Sequence, residues 1–120
     1  MAKVLIADDA AFMRMKSASL VKQLGHEVIE AENGEQAVAL YEEHSPDAVL
    51  LDMTLPGGLS GLEVAKEMLR LDSYTNIVAT SGYFEEGASD QEELSIFSAI
   101  LPKPYSVTSL SEAIESALVP

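Results

Sequence analysis

Short runs of aliphatic and β-branched residues alternate along this chain with longer segments in which apolar residues recur at helical spacing. That alternation is the pattern of a parallel sheet wrapped by helices. Five such units follow one another, with strands predicted at residues 3–7, 27–31, 48–51, 76–80 and, more briefly, 99–101. Each run is too short and too apolar to alternate cleanly between wet and dry faces, as is usual for strands covered on both sides. The first helix is expected over residues 10–24, stopped by Gly25, which tolerates the left-handed conformation found just past helix ends. A second starts near Asn33, a good N-cap, and runs to about His44, with Ala37, Leu40 and Tyr41 on one face and Pro46 beyond its end. Ser60 followed by Glu63 has capping-box spacing and opens a third helix expected to bury Leu62, Ala65, Met68 and Leu69. The last places Val107, Leu110, Ile114, Ala117 and Leu118 on one stripe. Between the fourth and fifth strands, residues 85–98 are acidic, include Gly87 and show little period, so any helix there is expected to be short and easily moved.

A length of 120 residues fits one ordinary domain, and a single unit over residues 1–120 is the expected organisation. Hydrophobic residues make up 48% of the chain and charged ones 22%, as in soluble globular domains and unlike disordered ones. Cysteine is absent, which removes disulfide frameworks, thiolate metal sites and thiol nucleophiles together. The first apolar run meets Asp8 and Asp9 too soon to be a secretory signal or a membrane span, so a cytoplasmic protein without membrane insertion is expected. Twenty acidic against seven basic residues leave a net charge of -13. A surface that negative repels phosphate backbones, so direct nucleic-acid binding is not expected. Solubility alone would explain the excess; the sharper reading gathers part of it into a cation site.

In an open parallel sheet, ligands bind beyond the carboxyl ends of the strands. Asp8 and Asp9 follow the first predicted strand, Asp52 the third, Ser81 the fourth and Lys103 the fifth. Three carboxylates, a hydroxyl and an ammonium would therefore converge on one edge. Each has a plainer role alone: an Asp pair before a helix often caps it, Asp52 and Ser81 suit turns, and Lys103 between two prolines suits a solvated loop. Jointly they match phosphoryl transfer. Crowded carboxylates repel unless a cation intervenes, and Mg²⁺ takes oxygen ligands from one or two carboxylates plus phosphate oxygens. A transferring phosphoryl group spreads charge over three oxygens and needs a metal and donors around an in-line nucleophile, for which Asp52 is the natural choice.

The order and spacing of Asp8-Asp9, Asp52, Ser81-Gly82 and Leu101-Pro102-Lys103-Pro104-Tyr105 resembles the CheY-like receiver family of two-component signalling, over essentially the whole chain. Arg14 and Gly34 also stand where such receivers often carry those types. The resemblance implies a flavodoxin-like α/β fold, a five-stranded parallel sheet in order 2-1-3-4-5 with two helices on one face and three on the other. It implies a phosphoacceptor regulatory domain rather than an enzyme, assisting phosphorylation and dephosphorylation of its own Asp52. The donor would be phosphohistidine of a histidine kinase or a histidine phosphotransfer domain, and the output an unidentified protein target. By the same resemblance, Asp9, Asp52 and the backbone carbonyl of Thr54 would ligate Mg²⁺ while Asp8 acts mainly through its waters. Ser81 and Lys103 would each bond a phosphoryl oxygen.

Two departures from the family pattern stand out. The loop after Asp52 is one residue longer than the commonest version, placing Gly61 nine residues on, with Gly57 and Gly58 inside the loop. Three residues before Lys103, where many receivers carry an inward-turning Tyr or Phe, this chain has Ile100. Tyr105 is expected to pack rather than to substitute for that ring. Thr54, Tyr83 and Ile100 are the candidate tuning positions, with output expected to run mainly through residues 83–98. His26 and His44 fall away from the strand ends and read as surface or turn residues. Met13, Met15 and Met68 read as core or loop filler. Two other classes remain open: a receiver-shaped interaction module that never accepts phosphate, and a flavin-binding electron carrier of the same topology, which would want a hydroxyl- and glycine-rich loop where Asp8-Asp9-Ala10 stands.

Overall fold

The structure, a computed structural model, describes residues 2–55, 60–81, 96–103 and 105–118. Five strands, β1 (Lys3–Ala7), β2 (Glu27–Ala31), β3 (Ala48–Asp52), β4 (Ile77–Ser81) and β5 (Ala99–Pro102), form one sheet in the order β2-β1-β3-β4-β5. Every neighbouring pair is parallel. The described helices are α1 (Ala11–Gln23), α2 (Gly34–His44), α3 (Gly61–Leu71) and α4 (Val107–Leu118). The segment expected to hold a further helix, residues 85–98, lies outside the described residues except for 96–98, as do 82–84 and, in the loop after Asp52, 56–59. Among the described residues no helix is long and apolar enough to cross a membrane.

Successive strand residues point to opposite faces, and here each face has its own core. Leu5, Ala7, Val49, Leu51, Ile77 and Ala79 meet α2 and α3 through Ala37, Tyr41, Val64, Ala65 and Met68. Val4, Ile6, Ala48, Leu50 and Val78 meet α1 and α4 through Ala18, Val21, Leu110, Ile114 and Ala117. β3 is buried along its whole length, which is why its sequence reads as an unbroken apolar run. Crossovers leave β1 toward α1 on one face and β3 toward α3 on the other. The crevice between the carboxyl ends of these two adjacent strands is therefore the switch point of the sheet.

The helix ends follow the chemistry read from the sequence. Asn33 caps α2 by accepting from the Gln36 amide at 2.8 Å. Ser60 and Glu63 form a reciprocal capping box, each backbone amide donating to the other's side chain at 3.2 Å. Gly25 follows α1 at φ +95 with open space around it, so its role is conformational. Gly61 serves packing instead. An added Cβ would overlap the Met53 Cα and come within 2.9 Å of the Asp52 carbonyl oxygen, so only glycine lets α3 begin against the end of β3.

Three side-chain expectations are corrected. Met15 is exposed on α1 beside exposed Phe12, because the buried stripe of that helix is Ser17, Ala18 and Val21, small residues that let it lie close to the sheet. In α3 the inward stripe is Gly61, Val64, Ala65 and Met68, which leaves Leu62 and Leu69 as partly buried flanks. Val107 is exposed in the first turn of α4, where the helix has yet to reach the sheet, and Leu110 opens its buried stripe. His26, just past the turn into β2, is half-buried with 12% of its side chain exposed. Its Nδ1 accepts from the Ala2 amide at 3.2 Å and its Nε2 lies 3.3 Å from Glu115 Oε1, tying the start of β1 to α4.

Candidate functional site

The carboxyl ends of β1, β3 and β5 deliver four of the expected side chains to one place. Asp52 is the last residue of β3 and Asp8 is the first after β1, and both are only 4% exposed. Asp9 follows, exposed, and one carboxylate oxygen from each of the three lies within 4.8 Å of the others. Lys103, just past β5, extends its ammonium between them, 3.0 Å from Asp8 Oδ2 and 3.2 Å from Asp52 Oδ2.

Local backbone geometry aims these groups. The Thr54 amide turns back to donate to Asp52 Oδ1 at 2.9 Å, while the Met53 amide stays on the ladder through the Thr80 carbonyl at 2.8 Å. Asp52 is thus held by its own turn on one side and by Lys103 on the other. Asp8 is held on every oxygen. Its Oδ1 accepts from the Ala10 amide at 2.9 Å, its Oδ2 from Lys103, and its carbonyl from Arg14 Nη1 at 2.8 Å. The plainer reading of the acidic pair as a helix cap does not hold, since the N-cap of α1 is Ala10, without a side-chain cap and without an acid in the first turn.

The charges are mutually dependent. Burial raises the Asp52 carboxyl above its ordinary range, and the Asp8 charge adds to this, against the Thr54 amide and Lys103, which lower it. Burial works against the Lys103 ammonium, yet its hydrogen bonds and charge pairing with Asp8 and Asp52 hold it above the usual lysine value. Lys103 therefore stays protonated, one positive charge among three carboxylates. That imbalance, with an all-oxygen donor set, fits a hard divalent cation such as Mg²⁺.

Thr54 is placed beside Asp52 by its amide. Ser81 ends β4 opposite Pro102, putting its backbone on the same sheet edge, while its side chain and Tyr83 lie outside the described residues. Ile100 pairs in register with Ala79 and is 38% exposed, on the opposite face of β5 from buried Leu101. Two contacts around the site went unread in the sequence. Tyr105 packs against the second core, as expected, but its hydroxyl also lies 2.5 Å from Ser17 Oγ on α1, a part-buried polar pair at the margin of that core. Arg14 reaches both Asp8 and Glu30. Its position one turn beyond an acidic pair was the available signal.

Comparison with known proteins gives one answer. The sequence model of the response regulator receiver domain family matches residues 4–115. The chemotaxis protein CheY of Bacillus subtilis is 37% identical over 117 residues, covering 97% of both chains. That of Thermotoga maritima is 34% identical over 113 residues, 93% of both. Among solved structures, the response regulator TrrA of Thermotoga maritima, in complex with Mg(2+)-BeF, superposes with a TM-score of 0.89 at 27% identity, over 98% of this chain and 100% of that one. A receiver domain protein from Clostridium thermocellum superposes at 0.88 with 25% identity, over 98% and 94%.

Proposed function

The chain belongs to the response regulator receiver domain family, and from that premise we propose that it is a phosphorelay receiver in which Asp52 accepts a phosphoryl group from phosphohistidine. The observation that carries this reading is the Asp52 carboxylate at the switch point of the sheet, with an oxygen each of Asp8 and Asp9 within 4.8 Å and the Lys103 ammonium bridging it to Asp8, 3.2 Å from Asp52 and 3.0 Å from Asp8. A nucleophile for phosphoryl transfer needs its own charge tolerated and the charge of the incoming group balanced, and this arrangement supplies both.

In the proposed step an Asp52 oxygen bonds to phosphorus as the bond from phosphorus to the donor imidazole nitrogen breaks, and that nitrogen leaves with the electron pair. Lys103, freed from part of its present pairing, neutralises a phosphoryl oxygen, and Ser81 donates to another. The Thr54 amide keeps the carboxylate oriented throughout. Asp9, Asp52 and the Thr54 carbonyl would hold Mg²⁺, whose contribution is to neutralise charge on the phosphoryl oxygens. Asp8, already engaged on both carboxylate oxygens, suits a role through water. The donor is a histidine kinase or histidine phosphotransfer domain, and the phosphorylated form acts on a downstream protein.

Incubation with acetyl phosphate or phosphoramidate and Mg²⁺, read by intact-protein mass spectrometry, tests the reading. One phosphoryl group should be incorporated, none in Asp52→Asn, and Lys103→Ala should remain folded with impaired transfer. Equal labelling of Asp8 or Asp9, or none in the parent protein, would reject it.

A further inference from the structure

Arg14 lies one turn into α1, and its guanidinium is held at two points: Nη1 donates to the Asp8 carbonyl at 2.8 Å and Nε to Glu30 Oε1 on β2 at 3.2 Å. With 13% of the side chain exposed, it runs along the protein instead of into water. The Asp8 carbonyl lies one residue past the end of β1, so the Arg14 bond takes the place of a strand partner. A peptide unit is planar, and the plane that contains this carbonyl also contains the nitrogen and Cα of Asp9. Pinning the Asp8 oxygen therefore fixes the plane from which the Asp9 Cα starts, and leaves only rotation about Asp9's own φ and side-chain bonds to aim its carboxylate. Asp8 has its carboxylate fastened by Ala10 and Lys103. Asp9 is the exposed member of the trio and depends on its backbone for aim.

We infer that Arg14, oriented by Glu30, is a positioning residue for the cation site, holding the Asp8–Asp9 peptide so that the Asp9 carboxylate faces Asp52. This rests on the Mg²⁺ reading above and extends it to a residue that touches neither metal nor phosphoryl group. Glu30 matters because an unrestrained arginine would lose rotamer freedom each time it reached the carbonyl, whereas one already paired is pre-organised.

The inference separates by sign from a purely electrostatic role. A guanidinium beside three carboxylates repels a divalent cation, so if only its charge mattered, removing it would tighten Mg²⁺ binding. Positioning requires the opposite. Titration of the unphosphorylated protein with Mg²⁺ alone, followed by amide NMR shifts, reads the affinity without any phosphodonor. Arg14→Met and Arg14→Lys should each weaken binding by about tenfold, the size usual for groups that orient metal ligands. Arg14→Lys is decisive because it keeps the charge and loses the planar fork. Glu30→Gln should fall between parent and Arg14→Lys. Parent-like affinity in Arg14→Lys, or tighter binding in Arg14→Met, overturns the inference while leaving the cation site intact. Failure of the parent protein to show saturable shifts overturns the cation site and the positioning role together. If Arg14→Met loses its dispersed spectrum, Arg14→Lys and Glu30→Gln against the parent decide the matter.

Discussion

Asp52 has one carboxylate oxygen committed to the Thr54 amide and the other to the Lys103 ammonium, and burial still raises its pKa above the ordinary 3.8. The folded state then holds this proton more tightly than the unfolded chain. Between 3.8 and the raised value the native state binds more protons than the unfolded one, so stability falls as pH rises through that window. Above the window the ionised Asp52 remains a standing cost. Asp52→Asn removes it and is expected to raise Tm at neutral pH without Mg²⁺, by an amount that shrinks as the pH is lowered toward 3.8. Mg²⁺ should stabilise the parent increasingly as its concentration rises above the dissociation constant, and the Asn variant much less. Thermal melts over a pH series, with and without the ion, check both; a variant less stable than the parent at neutral pH would contradict the account.

The elements that carry these residues are set by a few local choices, and α3 shows how closely element and site are joined. Its first residue, Gly61, lies against the Asp52 carbonyl and the Met53 Cα. Gly61→Ala must push the helix or the strand end away, which we expect to cost about 1–3 kcal/mol as overpacking does. Because the displaced strand end is that of Asp52, phosphorylation should slow as well. Ser60→Ala removes the cap without touching the strand, and should cost about 1 kcal/mol with a smaller effect on phosphorylation. Denaturant melts beside the mass-spectrometric assay separate the two. Element positions were legible in the sequence to within about a residue at most ends, since strand periodicity and cap chemistry are local signals. β3 extends to Asp52 because that residue still pairs in register with Thr80, a tertiary fact that the poor strand propensity of Asp conceals. Convergence of Asp8, Asp9, Asp52 and Lys103 was legible too, because position after a strand end suffices to place them. The burial of Ser17, the exposure of Phe12 and Met15, and the reach of Arg14 depend on how α1 is rotated on the sheet, and its mixed polar and apolar pattern does not encode that rotation.

At the scale of the whole molecule, the two cores are separated by the sheet, and the groups with raised alkaline pKa values fall on both sides of it. Tyr41, in the core under α2 and α3, and Tyr105, in the core under α1 and α4, are both raised above 10.0, chiefly by burial. In Tyr105 the Ser17 hydrogen bond and the Lys103 charge pull the other way without cancelling it. Lys103 is raised above 10.5 because its carboxylate partners outweigh its burial. For each group the native state keeps a proton that the unfolded chain has begun to lose. Native proton binding therefore exceeds that of the unfolded state above about pH 10, and stability must fall as pH rises there. The Lys103 contribution is fully present below 10.5 and disappears as pH climbs through its folded value. All three act in the same direction, so the alkaline decline should be steeper than one group could produce. Tyr105→Phe removes one of them together with the part-buried hydroxyl that meets Ser17 Oγ. Near pH 7 that substitution should cost about 1 kcal/mol, the net worth of a hydrogen bond, because Ser17 is left without its partner. Above pH 10 the variant should lose stability more slowly than the parent, so that the gap between them narrows or inverts. Urea unfolding at intervals from pH 7 to 11.5 gives the slope directly. A constant gap across that range would show that the Tyr105 hydroxyl ionises as readily in the folded protein as in the unfolded chain.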